Sequence, residues 1–162
     1  MSLSFDFSDD QNMMRDAIRT FCKEEIAPLV EEAEKTESFP QELFPKMAEM
    51  GLLGICFDEK YGGLGLDKVT QCILAEELGK TCAGIAKGVA AHVDLGSLPI
   101  AKFGTEEQKE KYLKPLAKGD IIGAFCLSEP EAGSDATSQK TTALDKGDYY
   151  LLNGTKNWIT NG

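Results

Sequence analysis

Two short segments in the second half of the chain carry residue types that could do chemistry. The first, residues 127–135, ends in Gly133-Ser134-Asp135. A turn of this kind presents free backbone N–H groups, and Ser134 adds a hydroxyl, so the segment suits an anion such as a phosphate. An ordinary surface loop is the alternative interpretation of the same residues.

The second segment contains the only tryptophan. Trp158 and Thr160 are two residues apart on a predicted strand, so their side chains point to one face while Ile159 points to the other. An indole beside a hydroxyl suits a planar ring rich in heteroatoms, because the indole stacks and the hydroxyl forms a hydrogen bond. The alternative is a core tryptophan with an edge threonine, since burial is the usual role of a large aromatic side chain.

Other catalytic and ligand-binding patterns are weaker. The glycine-rich residues 61–65 lack the glycine that a dinucleotide fingerprint needs at its sixth position, and no clear strand precedes them. His92 has no second ligand or acid nearby in sequence, which favours a satisfied core or surface histidine over a catalytic one. The cysteines include no C-x-x-C pair, so the sequence predicts neither a zinc or other metal site nor a disulfide framework. They are Cys22, Cys56, Cys72, Cys82 and Cys126.

The composition of the 162 residues is that of a globular protein, with 42% hydrophobic and 27% charged residues. Seventeen basic against 27 acidic side chains give a net charge of −10, which disfavours nucleic acids and anionic membrane surfaces as partners. The N-terminal residues 1–6 lack a basic segment and a long apolar run, so they do not predict a secretory signal. No stretch approaches the ~18 apolar residues of a membrane span, and we expect a cytoplasmic protein with reduced thiols.

Helix signals fill the first two-thirds of the chain. Apolar residues at spacings of three and four follow Ser8, an N-cap candidate, and Pro28 should bend or interrupt the resulting helix. Thr105 and Gln108 form a capping box, which predicts a firm helix start. Pro99 is expected to end the helix before it. The five predicted helices cover residues 8–26, 42–50, 67–80, 82–98 and 105–118.

The sequence changes character at Gly119. Strand-type segments follow at residues 121–128, 141–144, 149–152 and 156–160, with hairpin signals at 145–148 and 153–154. Helices followed by an antiparallel meander predict an α+β fold: an all-α domain at residues 1–119 and the first strands of a β domain at 120–162. Asn161-Gly162 predicts a turn into a return strand, so we expect these residues to be the front of a longer protein.

Taken together, these motifs make the chain resemble the N-terminal portion of the acyl-CoA dehydrogenase family. The resemblance extends over essentially all 162 residues. It is carried by residues 61–65, 103–109, 127–135 and 153–162, and the last two segments are highly specific in combination.

The resemblance implies an N-terminal helical domain, a middle β domain, a C-terminal helical bundle absent from these residues, and non-covalent FAD. It places residues 125–128 against the flavin ring, with Ser128 at the hydrogen-bonding edge of that ring. It places Ser134 near the FAD pyrophosphate and the CoA part of the substrate, and Thr160 near flavin N5. The implied cofactor-binding residues are Phe125, Cys126, Leu127, Ser128, Ser134, Trp158, Ile159 and Thr160, with Ser134 also contacting substrate.

The implied reaction is α,β-dehydrogenation of an acyl-CoA thioester, with electrons passing from FAD to an electron-transfer flavoprotein. In the family the catalytic base is a glutamate of the C-terminal bundle, so we expect it beyond Gly162 and assign no catalytic residue here; Glu129 belongs to the flavin motif. The fragment alone is expected to be inactive, and the full-length protein to be a homotetramer or dimer.

Two alternatives remain open. An acyl-CoA oxidase, or a related flavin oxidase or monooxygenase of the same fold, would differ in how oxygen reaches the reduced flavin. A non-catalytic module that binds acyl-CoA or a partner would belong to a different functional class.

Overall fold

Seven α-helices and one β-hairpin make up the regular structure of the computed structural model, which describes residues 5–162. Residues 1–4 lie outside that range. They are the first residues of the predicted all-α domain 1–119 and part of residues 1–6, which do not predict a secretory signal. The helices are α1 (Asp9–Phe21), α2 (Ala27–Thr36), α3 (Leu43–Glu49), α4 (Lys68–Thr81), α5 (Ala83–Ala90), α6 (Leu98–Phe103) and α7 (Glu106–Ala117). The strands are β1 (Thr142–Asp145) and β2 (Tyr150–Asn153). Helices followed by antiparallel strands confirm the predicted α+β class.

The helix starts lie where the local capping chemistry predicts them. At the start of α7, the amide of Gln108 donates to Thr105 Oγ1 at 3.2 Å, and the Thr105 amide donates to Gln108 Oε1 at 2.9 Å. Ser8 and Gln11 form the same reciprocal pair at the start of α1. Asp67 caps α4 by accepting from the Thr70 amide at 2.7 Å. Each cap satisfies backbone donors that a helix leaves without an intrahelical partner.

Two proline positions are accommodated by wider, π-helical turns. The turn at Cys22–Ile26 separates α1 from α2, whose first turn contains Pro28, so the predicted interruption is confirmed. A second π turn, Ala91–Ser97, joins α5 to α6. The prediction that Pro99 ends the helix is wrong: it lies in the first turn of α6, where a proline's missing N–H costs little.

The hydrophobic core lies among the helices. Its fully buried apolar side chains come from α1, α3, α4 and α7 and from the turns between them: Ile18, Ile26, Leu43, Met47, Leu52, Leu53, Ile55, Leu78 and Leu113. At the edge of the core, Arg19 Nε on α1 donates to Glu77 Oε2 on α4 at 2.9 Å, which lowers the pKa of Glu77. None of the helices described in residues 5–162 is long and apolar enough to cross a membrane.

The glycine-rich segment 61–65 is a tight surface turn that follows a short 3₁₀ helix, Glu59–Tyr61. A Cβ on Gly63 would lie 2.2 Å from the carbonyl oxygen of Phe57, so this position excludes every larger residue. The glycines therefore allow two backbone segments to approach closely. They do not belong to a strand–turn–helix unit of the kind that a dinucleotide fingerprint requires.

The hairpin confirms two of the four predicted strands, each beginning one residue later than predicted. β1 pairs antiparallel with β2, with Leu144 opposite Leu151, and Gly147 has a φ of 90° in the connecting turn. Residues 121–128 and 156–160, also predicted as strands, are not strands in the structure. The two segments lie side by side, but the hydrogen bonds that join them are isolated. A pair of strands is defined by a continuous ladder of backbone hydrogen bonds.

Candidate functional site

Residues 123–129 and 156–161 run antiparallel to each other and form the candidate site. The amide of Asn157 donates to the Ser128 carbonyl at 2.9 Å, and Lys156 Nζ donates to the Leu127 carbonyl at 3.2 Å. At the other end, Asn161 Nδ2 donates to the Gly123 carbonyl at 3.2 Å. The structure therefore brings the beginning of the segment 127–135, but not its Gly133-Ser134-Asp135 end, next to the segment that contains Trp158 and Thr160.

Trp158 lies at a turn of the backbone. Its φ of 59° is in the left-handed region, and its side chain is 94% exposed. The predicted strand and its two-residue alternation are wrong here, because a left-handed residue breaks the extended backbone on which alternation depends. The core-tryptophan alternative is also wrong for these residues. Ile159 and Thr160 are half-buried, and Thr160 lines a cavity with Phe44 and Gly88.

The neighbouring segment also presents apolar surface. Phe125 is 43% exposed and Cys126 is exposed, whereas Leu127 and Ser128 are half-buried. Phe125 and Trp158 are thus large apolar side chains that two adjacent segments leave exposed, and exposed apolar surface favours a partner that covers it. A flat aromatic ligand would do so.

Ser134 lies on an exposed turn. The Asp135 carboxylate next to it accepts hydrogen bonds from Ser138 Oγ, from Thr137 Oγ1 at 2.6 Å and from the Thr137 amide at 3.2 Å, and these bonds lower its pKa. The amides of Gly133 and Ser134 donate to no protein acceptor within residues 5–162. The turn thus keeps donors available for an anion, although no hydrogen bond connects Ser134 to the paired segments in the part of the chain described.

Glu129 is a buried carboxylate that holds this region together. It accepts from Lys156 Nζ at 2.8 Å and from the backbone amides of Lys140 at 2.6 Å and Thr141 at 3.1 Å. The Lys156 ammonium is the largest of the influences that hold the pKa of Glu129 at about 2. A carboxylate with three donors and so low a pKa is a poor proton acceptor, so Glu129 has a structural role. Sequence reasoning missed its partners, because 27 residues separate Glu129 from Lys156.

His92 is fully buried on the π turn Ala91–Ser97. Its Nδ1 accepts from the Gly123 amide at 2.9 Å, and its Nε2 lies 3.1 Å from the Leu116 carbonyl. The prediction of a satisfied histidine is confirmed, but its link to the candidate site was missed. Asn161 was missed too; besides bonding Gly123, its amide donates to the Gly88 carbonyl at 2.8 Å. No signal in one sequence reveals either pairing.

No group of three or more side chains that could hold a metal ion gathers within residues 5–162. The five cysteines are free thiols.

Two family models match the chain. The model of the acyl-CoA dehydrogenase N-terminal domain matches residues 8–120, and that of the middle domain matches residues 124–162. The chain belongs to the acyl-CoA dehydrogenase family. The boundary between the two matches lies in the connection that His92 holds through Gly123.

Relatives within the acyl-CoA dehydrogenase family are similar over nearly the whole chain. A probable acyl-CoA dehydrogenase of Bacillus subtilis, YngJ, is 46% identical over 98% of this chain and 42% of its own length. A chain from a study of the electron transferring flavoprotein of Acidaminococcus fermentans is 48% identical with a TM-score of 0.95, covering 99% of this chain and 42% of that one. A Bacillus anthracis acyl-CoA dehydrogenase complexed with FAD is 44% identical with a TM-score of 0.90, covering 96% and 27%. The chain thus spans about two-fifths of the length of the curated relative.

Proposed function

We propose that these residues are the front part of an FAD-dependent acyl-CoA dehydrogenase that catalyses α,β-dehydrogenation of an acyl-CoA thioester. Three observations support the proposal: membership of the family, the FAD held by a solved relative, and the apolar site on the paired segments. The single observation that carries it is the pairing of residues 123–129 with 156–161, which leaves Trp158 and Phe125 open to a ligand.

The residues at this site fit FAD. Trp158 and Phe125 offer apolar surface to a flat ring, and Thr160, two residues after Trp158, offers a hydroxyl. Ser134 and the free amides of its turn offer donors to a pyrophosphate and to the CoA part of the substrate. Residues 125–128 and 158–160, with Ser134, are therefore the residues that we propose hold the cofactor.

The reaction removes a proton from the α-carbon of the thioester and a hydride from its β-carbon. Bound FAD would supply the group that accepts the hydride. The protein residues orient the ring and the thioester and exclude water. Residues 127–135 contain three carboxylates: hydrogen bonds lower the pKa values of Glu129 and Asp135, and Glu131 forms an ion pair with Lys140. We therefore propose that the catalytic base comes from a part of the polypeptide beyond Gly162.

The proposed partners are an acyl-CoA substrate and an electron-transfer flavoprotein, with the full-length enzyme forming a homo-oligomer. The similar chain from the Acidaminococcus fermentans study supports the flavoprotein partner. The net charge of −10 supports neither nucleic acid nor an anionic membrane as a partner.

Electron-acceptor dependence tests this function in the full-length polypeptide. We expect acyl-CoA oxidation with an electron-transfer flavoprotein and little hydrogen peroxide when oxygen is the only acceptor. Rapid turnover with oxygen would show an oxidase instead. A full-length protein that binds acyl-CoA but carries no flavin would show a non-catalytic module.

A further inference from the structure

The connection between the helices and the candidate site passes through Gly123, which is fixed on three sides. Its amide donates to His92 Nδ1 at 2.9 Å, and its carbonyl accepts from Asn161 Nδ2 at 3.2 Å. A Cβ on Gly96 would lie 2.8–2.9 Å from the carbonyl carbon and Cα of Gly123, so the two backbones are in contact. Gly123, which is two residues before Phe125, is therefore packed against the π turn Ala91–Ser97.

His92 can accept the hydrogen bond from the Gly123 amide in only one protonation state. Because Nδ1 accepts a hydrogen bond, the ring proton is on Nε2, where it donates to the Leu116 carbonyl at the end of α7. Burial lowers the pKa of His92, which keeps the ring neutral. Ser97 Oγ donates to the His92 carbonyl at 2.7 Å and fixes the backbone that carries the ring.

The two nitrogens of His92 thus do different work. Nε2 ties α7 to the π turn, which is a contact within the helical part of the protein. Nδ1 reaches out of the helices to the segment that leads into Phe125 and Ser128. If His92 positions residues 125–128, FAD binding should depend on the hydrogen bond to Nδ1. If His92 only stabilises the packing of the helices, loss of the hydrogen bond at either nitrogen should have the same effect.

We propose that His92, acting through Gly123, is a positioning residue that sets where residues 125–128 lie for binding the flavin. The inference rests on the proposed function, because it assumes that these residues contact FAD. His92 touches neither cofactor nor substrate in this scheme.

Two substitutions separate the nitrogens in the full-length protein. Asparagine places a carbonyl oxygen near the position of Nδ1 and keeps an acceptor for Gly123, whereas glutamine places an amide nitrogen near the position of Nε2 and keeps the donor to Leu116. We expect His92→Gln to weaken FAD binding about tenfold, the effect of one hydrogen bond, and His92→Asn to stay near the wild-type value. Both variants should lose thermal stability, because each leaves space beside the Phe44 ring.

A second pair of variants leaves His92 in place. Gly96→Ala pushes a methyl group against Gly123, while Gly79→Ala adds one to α4 with no atom within 4 Å of it. We expect weaker FAD binding in the first and unchanged binding in the second. Equal FAD binding by these two variants would contradict the inference that the position of Gly123 affects the flavin site.

The deciding comparison is between the two His92 variants. Equal loss of FAD affinity in both, or loss in neither, overturns the positioning role. If the wild-type protein binds no FAD, the proposed function fails on its own. Hydrogen exchange at residues 121–128, which needs no flavin, then decides the inference. Protection of these amides in the wild-type protein and in His92→Asn, but not in His92→Gln, supports it. Equal exchange in all three proteins overturns it.

Discussion

At the scale of single residues, the environment of each polar group in the candidate site decides what that group can do. The carboxylate of Glu129 accepts hydrogen bonds from Lys156 and from two backbone amides, so it joins three parts of the chain. Ser134 lies on an exposed turn whose amides remain available. Trp158 extends into solvent from a left-handed backbone position. The site thus combines an ion pair at a buried carboxylate, a turn with free backbone donors and an exposed aromatic side chain.

Replacing Trp158 by alanine should weaken FAD binding in the full-length protein by about 1–3 kcal/mol, because the ring loses its aromatic neighbour. Titration of the apoprotein with FAD measures the change. Phe103→Ala is the matched control, since Phe103 is also an exposed aromatic residue but lies at the end of α6. Unchanged FAD affinity in the Trp158 variant would reject the assignment.

Replacing Glu129 by glutamine should lower the melting temperature by an amount that depends on pH. The pKa of Glu129 is about 2 in the folded protein against 4.5 for an ordinary glutamate, so its charge stabilises the folded state above pH 4.5. That stabilisation is lost as pH falls from 4.5 towards 2. The gap between wild type and Glu129→Gln should therefore be constant near neutral pH and shrink in acid. A gap that widens in acid would contradict this account.

At the scale of elements, the sequence predicts best those structures whose causes are local. The start of α7 follows from the side chains of Thr105 and Gln108, three residues apart, and the hairpin follows from a turn around Gly147. Residues 121–128 looked equally like a strand but are not one. A strand is defined by its neighbour, and nothing within eight residues specifies that neighbour. The His92–Gly123 bond is invisible to sequence for the same reason.

Replacing Thr105 by alanine should weaken the start of α7. The Gln108 amide loses its acceptor, and loss of an N-cap of this kind costs about 1 kcal/mol. Native-state hydrogen exchange at the first turn of α7 measures this local free energy. Thr105→Ser keeps the hydroxyl and should exchange like wild type; faster exchange in the serine variant as well would show that the cap is not the cause.

At the scale of the whole molecule, the helical core and the candidate site differ in how far their side chains are buried. The core is buried among helices, whereas Trp158, Phe125 and most of the hairpin are exposed. Gly123 joins the two, held by His92 on one side and Asn161 on the other. Ligand sites normally enclose most of their ligand, so under the proposed function the described residues form an open part of the flavin site.

Residues 1–162 produced alone should therefore be colourless or weakly flavin-bound and should oxidise no acyl-CoA. The exposed site gives FAD little enclosure, and the hydrogen bonds that lower the pKa values of Glu129 and Asp135 make these two carboxylates poor acceptors for the α proton. Absorbance after gel filtration in excess FAD measures retention. Enzyme-like reduction of FAD by this fragment with an acyl-CoA would show that the base lies within it.

An anaerobic titration of the full-length polypeptide with acyl-CoA thioesters of increasing chain length tests the central claim most directly. The protein should be yellow as purified, and at least one thioester should bleach the visible flavin bands as electrons pass from substrate to FAD. The unsaturated thioester should appear in equal amount. A full-length protein that is colourless and stays so with added FAD, or whose flavin is reduced by dithionite but by no thioester in the series, would contradict the account.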